Sequence, residues 1–163
     1  MLVRPATADD LNDIMRTYDA ARLAMRECGN HAQWVNGYPQ RDLLENDIEK
    51  KQLFVIEEDG VIHAAFAFIL GDDPTYAYIE DGKWPNGKPY GTIHRIGTDG
   101  KIKGAVKAAL DFALQYTDEV RADTHEDNRP MQHVLAKNGF VRCGIIYLEN
   151  GDPRIAYQYS KEA

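Results

Sequence analysis

The chain has 163 residues with a formal net charge of -7, 44% hydrophobic and 28% charged, the profile of one folded domain, expected over residues 1–163, that buries roughly 70% of its unfolded surface. The acidic excess speaks against a nucleic-acid partner, which needs clustered positive charge. Cys28 and Cys143 stand apart from any metal or disulfide pattern, and neither a leader-type core nor 18 successive apolar residues occurs, so the expected setting is the cytoplasm, with no membrane partner.

Thr7, followed three residues on by Asp10, opens a helical pattern in which Leu11, Ile14, Met15, Tyr18 and Met25 recur on one face. Residues 28–39, rich in Gly and Asn and carrying Trp34 and Tyr38, read as a loop, and 40–51 as a second helix through Leu43, Leu44 and Ile48. Two apolar runs, 53–58 and 61–70, flank Asp59-Gly60, a strong hairpin signal. A short strand is also expected at Leu2 to Arg4. Residues 71–90 form a long loop with Tyr76, Tyr78, Trp84 and Tyr90; loops of this length in compact domains commonly serve function. Then come a strand over 91–98, a helix over 100–117, a strand over 119–125, a helix over 128–138 and a closing hairpin over 140–160 that turns at Asn150-Gly151. This order predicts an α/β (α+β) layered fold: a mixed, mostly antiparallel sheet of six to seven strands with helices on both faces. The closing hairpin presents an edge on which a second copy can pair as a homodimer.

The stretch 97–114 sets Lys101, Lys103 and Lys107 and two glycines, Gly100 and Gly104, at the entrance of a helix. A helix start carries four unpaired N–H groups and about half a positive charge, which suits an anion such as a pyrophosphate. Gly104 is followed by Ala105 and Val106 rather than Lys-Ser/Thr, and no G-x-G-x-x-G occurs, so neither a Walker ATPase nor a dinucleotide fingerprint is indicated. The same lysines also read as the solvated face of an amphipathic helix whose buried stripe is Ala105, Val106, Ala109, Leu110 and Ala113.

The run KIKGAVKAALDFAL, followed by a strand and then DNRPMQHVLAKNGF, resembles the GNAT superfamily of N-acetyltransferases. Lys101, Gly104 and Val106 match the pattern at its pyrophosphate helix, and Asn128 and Gly139-Phe140 match its later helix. The resemblance implies acetyl-CoA as co-substrate in a V between two splayed central strands. It implies pantetheine on the main chain of Ile96, Gly97 and Thr98, pyrophosphate on Lys101, Lys103, Gly104, Ala105 and Val106, and Asn128 on the cofactor arm. Val106 stands where a Gly or Ala is usual. The tyrosine that many members use as general acid falls at Leu135, with Tyr147 as a spatial substitute.

The implied reaction is direct attack of a neutral amine on the thioester, so a base is needed. By the two-residue period of a strand, Thr92, His94 and Ile96 share one face and Ile93 and Arg95 the other. His94 sits where some members carry a glutamate base and is the first candidate; Glu80 is the second. Each also reads as an ordinary polar residue held by neighbours. Trp34, Tyr78 and Trp84 are expected to shape the pocket for a small-molecule or peptide amine. His31, His63 and His133 lack metal-ligand spacing, so no metal is expected, and His125 reads as a cap. A domain that binds acyl-CoA without turnover is the alternative, and an interaction module meeting an anionic partner is a third reading.

Overall fold

The protein is described from a computed structural model covering residues 1–161. Its elements are β1 (Leu2–Pro5), α1 (Leu11–Glu27), α2 (Arg41–Glu49), β2 (Leu53–Glu58), β3 (Val61–Leu70), β4 (Gly91–Thr98), α3 (Ala105–Ala113), β5 (Glu119–Thr124), α4 (Arg129–Lys137), β6 (Val141–Tyr147) and β7 (Pro153–Ser160). The seven strands form one sheet in the order β1-β2-β3-β4-β5-β7-β6. Every neighbouring pair is antiparallel except β4 and β5.

Apolar periodicity decides which face each helix covers. Ile14 and Tyr18 of α1 and Leu44 of α2 pack on Leu53, Val55 and Ala65. On the opposite face Ala109, Leu110 and Ala113 of α3 and Leu135 of α4 pack on Phe66, Val120 and Tyr157. Each large side chain buried in this way contributes about 1.5–3 kcal/mol. The long loop 71–90 lies over the β5–β7–β6 end, where Tyr76 and Tyr90 cluster with Ile146 and Ala156, and a single bridge ties Glu80 to Ile145. No helix of the described residues is long and apolar enough to cross a membrane.

Two helix boundaries differ from the periodicity reading. A 3₁₀ turn (Ala8–Asp10) precedes α1. Asp10 accepts the Thr7 N–H at 2.8 Å and pairs with Arg4 at 2.8 Å, so its carboxylate serves the chain entry rather than the helix alone. Helix α3 begins at Ala105, five residues later than expected, because Gly104 is left-handed at φ 83° and caps it from outside the helix.

The feature that matters most for function is a rupture in the sheet. Strands β4 and β5 pair only through Gly91 with Val120 and Thr92 with Arg121, so beyond Thr92 they diverge. Just past that point β4 bulges: Ala67 faces His94 and Ala65 faces Gly97, leaving Arg95 and Ile96 opposite Phe66. Arg95 is left-handed at φ 52°, which is uncommon for a side chain of this kind and must be held by its surroundings. It is held twice. Buried Asp47 accepts Arg95 Nε and Nη2, each at 3.1 Å, and the Tyr18 hydroxyl donates to the Arg95 carbonyl at 2.6 Å. The bulge breaks the expected alternation. Ile96 packs with Ile93 in the α3 cluster, while Arg95 reaches α2; the expected grouping of Ile96 with His94, and of Arg95 with Ile93, is therefore wrong beyond His94.

Candidate active site

The gap between β4 and β5 opens into a cavity of about 800 Å³. Its walls come from β4 (Ile93, His94, Ile96), β5 (Ala122, Asp123, Thr124) and α4 with its cap (Asn128, Leu135). The α1–α2 loop, including Trp34, and the β6–β7 turn complete it. Trp34, His94, Ile96, Val106 and Asn128 of the expected site residues thus line one space. Gly97 and Thr98 continue the β4 edge, which has no strand partner on its β5 side beyond Thr92. Gly97 is close-packed: a Cβ there would lie 2.9 Å from the Tyr18 ring.

Lys101, Lys103 and Gly104 are exposed at the outer end of this edge and Ala105 is buried at the start of α3. Gly100 and Gly104 adopt φ of 80° and 83°, and a Cβ added at either would meet nothing within 4 Å, so the left-handed conformation rather than crowding accounts for them. The Lys101 N–H is already taken by the Asp99 carboxylate at 2.9 Å. The amides of residues 102 to 107 have no acceptor among the described residues. Six successive N–H groups without an acceptor among the described residues, at a helix entrance flanked by exposed lysines, suit an anion.

His94 Nε2 donates to Asp73 Oδ2 at 2.8 Å. The other oxygen, Asp73 Oδ1, accepts the Thr75 amide at 2.9 Å and the Thr75 hydroxyl at 2.7 Å. Burial pushes the Asp73 carboxyl up, but these hydrogen bonds, from His94 first and Thr75 next, outweigh it and hold its pKa at about 2. In the neutral ring this pairing puts the proton on Nε2 and the lone pair on Nδ1. Beside it, buried Tyr76 donates its hydroxyl to Asp123 Oδ2 at 2.6 Å. Burial foremost, reinforced by that carboxylate, raises the Tyr76 pKa well above the usual range.

Other expected residues lie elsewhere. Glu80 does not line the cavity; it is bound by the Tyr147 and Tyr78 hydroxyls, which lower its pKa. Tyr78, 62% exposed, and Tyr147 are likewise outside the lining, so neither shapes the pocket and Tyr147 does not replace the proton donor missing at Leu135. Trp84 also stands outside. Its Nε1 donates to the Tyr76 carbonyl at 2.9 Å and its ring stacks on the Arg121 guanidinium at 3.8 Å, so it props the loop from beneath.

Asn128 caps α4 by accepting the Met131 amide at 3.2 Å. Its Nδ2 donates to Gln33 at 3.0 Å, and Asn30 donates to the same Gln33 oxygen at 2.8 Å. Thus a capping residue doubles as a tie to the α1–α2 loop. Sequence reasoning overlooked Asp73, Asp123, Gln33 and Arg154. Asp73 alone had a readable signal, Asp-Pro before Thr75, the pattern of a carboxylate cap on a short turn. Among the described residues no group of three or more His, Cys, Asp or Glu is arranged to hold a metal.

No family model and no curated protein matches the chain, but solved structures do. The chain is similar to a GNAT-family acetyltransferase from Streptococcus agalactiae 2603 at 33% identity, over 99% of this chain and 96% of that one, with a TM-score of 0.87. A GNAT-family acetyltransferase from Listeria monocytogenes 4b F2365 aligns at 24% identity over 98% of this chain and 94% of its own, TM-score 0.67. One from Bacillus cereus ATCC 10987 aligns at 22% over 99% and 98%, TM-score 0.64. These last two speak to the fold alone.

Proposed function

Since the chain belongs to the GNAT family of acetyltransferases, we propose that it is an acetyl-CoA-dependent N-acetyltransferase acting on a primary amine, with His94 as general base. The observation that carries this reading is the His94–Asp73 pair in the wall of the cavity formed where β4 and β5 part.

The residues present fit acetyl-CoA. The free amides of 102 to 107 and the charges of Lys101 and Lys103 would hold its diphosphate, and the unpaired edge at Ile96, Gly97 and Thr98 would hold its pantetheine arm. When bound, it supplies the thioester whose acyl carbon the amine attacks. The chain's own task is proton removal. An alkylammonium of pKa about 10.4 costs roughly 4.6 kcal/mol to neutralise at pH 7, at 1.36 kcal/mol per unit, and one placed base supplies about 10²- to 10⁴-fold, which is comparable. His94 Nδ1 accepts one proton from the ammonium. The N–C bond then forms as the C–S bond breaks, and the second amine proton leaves with the thiol. Asp73 stabilises the imidazolium without itself taking the proton. Leu135 offers no acid, and none is required of the chain, since thiols ionise near pKa 8.5.

Leu135, buried and apolar at the position of the usual acid, favours the alternative of a domain that binds acyl-CoA without turnover. Two measurements divide the readings. Calorimetry should detect acetyl-CoA binding, and a thiol-release assay against a panel of amines should detect turnover. Binding without release on any amine favours the alternative; no binding at millimolar acetyl-CoA rejects both.

A further inference from the structure

Arg154 is a cation in the cavity wall that the proposed chemistry leaves unused. It lies on β7, only 7% exposed, and lines the cavity. Within β7, Ile155 and Tyr157 point into the α3–α4 cluster. The intervening residue Ala156 packs on the opposite side with Tyr76, and by alternation Arg154 shares that side. Among the described residues its guanidinium makes one hydrogen bond, from Nη1 to the neighbouring Pro153 carbonyl at 2.8 Å. No carboxylate among the described residues comes within ion-pairing distance of it. Neither Nε nor Nη2 is sealed away without a partner, so both keep some accessible surface on a side chain that lines the cavity.

A buried guanidinium with one bond is costly unless something pairs with it. The carboxylates in the same cavity have other work. Asp73 holds His94, Asp123 takes the Tyr76 hydroxyl on one oxygen, and Glu149 and Asp152 lie on the exposed β6–β7 turn. Taking the transferase reading as its basis, we infer that the acceptor is an amine that also carries a carboxylate, of the α-amino acid class, with its carboxylate on Arg154 and its nitrogen toward His94. Arginine's planar fork of N–H donors suits a carboxylate in two parallel bonds. The remaining oxygen of Asp123 and the lone pair of His94 suit the nitrogen end. The cavity thus presents one cationic end and one basic end to a zwitterion.

The test compares a panel of α-amino acids with the matching amino acid amides, which keep the amine and lose the negative charge. In thiol release the wild-type protein should favour the acids. Arg154→Gln should raise KM for the acids about 10- to 100-fold, leave the amides unchanged and leave acetyl-CoA affinity by calorimetry unchanged; Arg154→Lys should recover part of the loss. Equal turnover of acids and amides by the wild type, or an equal loss on both in Arg154→Gln with acetyl-CoA affinity intact, overturns the inference. Calorimetry with the amino acids alone separates it from the transferase reading. Arg154-dependent binding with no thiol release sustains the acceptor site while rejecting turnover, and release on amides with no binding of acids does the reverse.

Discussion

Replacing His94 with Gln removes the imidazole that lines the cavity and keeps a side chain able to reach Asp73. The expected loss follows from the proton balance. At pH 7 about one alkylamine in 2,500 is neutral for a pKa of 10.4, and a placed base recovers about 10²- to 10⁴-fold of that deficit. The variant should therefore lose about 10²- to 10⁴-fold in kcat/KM at pH 7, with the KM for acetyl-CoA unchanged. The deficit should also shrink by about tenfold for each pH unit gained, because free amine accumulates without help as pH approaches 10.4. Asp73→Asn probes the same pair more gently. It exchanges a charged for a neutral acceptor at a 2.8 Å contact and should cost about tenfold. The assay is initial-rate thiol release from about pH 6 to 10. A constant ratio of wild-type to His94→Gln rates across that range would refute the base assignment, since a lost base cannot be equally costly when the amine is already neutral.

Exchanging Lys101 and Lys103 together for Glu should weaken acetyl-CoA by at least about tenfold while sparing a thioester truncated before the diphosphate; equal weakening of both, read by calorimetry, would place the anion elsewhere. Asp47→Ala strands the buried Arg95 guanidinium and should destabilise the fold by about 3–5 kcal/mol, measured by urea unfolding, whereas a change below about 1 kcal/mol would mean the bulge does not depend on this pair. Asp10, held at a pKa of about 2 against 3.8 ordinarily, mainly by its hydrogen bond from Arg4, favours the native state fully above its unfolded pKa, and that contribution is lost as pH falls through about 2. Arg4→Met should therefore flatten the decline of stability between about pH 4 and pH 2, and an unchanged slope in thermal unfolding would assign the decline to other groups such as Asp73.

Local signals carried the reading of the sheet. The Asp59-Gly60 turn produced β2 and β3 with the expected bounds, and the apolar stripe of Ala105, Val106, Ala109, Leu110 and Ala113 is the buried face of α3. What escaped was set by distant partners. Nothing in the neighbourhood of Arg95 marks it as left-handed; Asp47 and Tyr18, far off in sequence, impose that conformation. Trp84 and Tyr78 fall in an aromatic-rich loop that the family resemblance implied would shape the acceptor pocket. Their actual places depend on Arg121 beneath one and Glu80 beside the other. His94 was singled out through the family resemblance, yet its hydrogen-bond partner Asp73 lies 21 residues earlier, beyond the reach of any spacing rule. Arg154 carries no local signal in the closing hairpin, and only its burial without a counter-charge among the described residues gives it meaning.

The two rungs joining β4 to β5 make this sheet a pair of plates hinged at one corner. The free amides of residues 102 to 107 lie on the plate containing β4, while Asp123 and Arg154 belong to the other. Backbone hydrogen bonding conveys little from plate to plate, so under the proposed transferase reading substitutions at Asp123 or Arg154 should leave the proposed diphosphate site as it was.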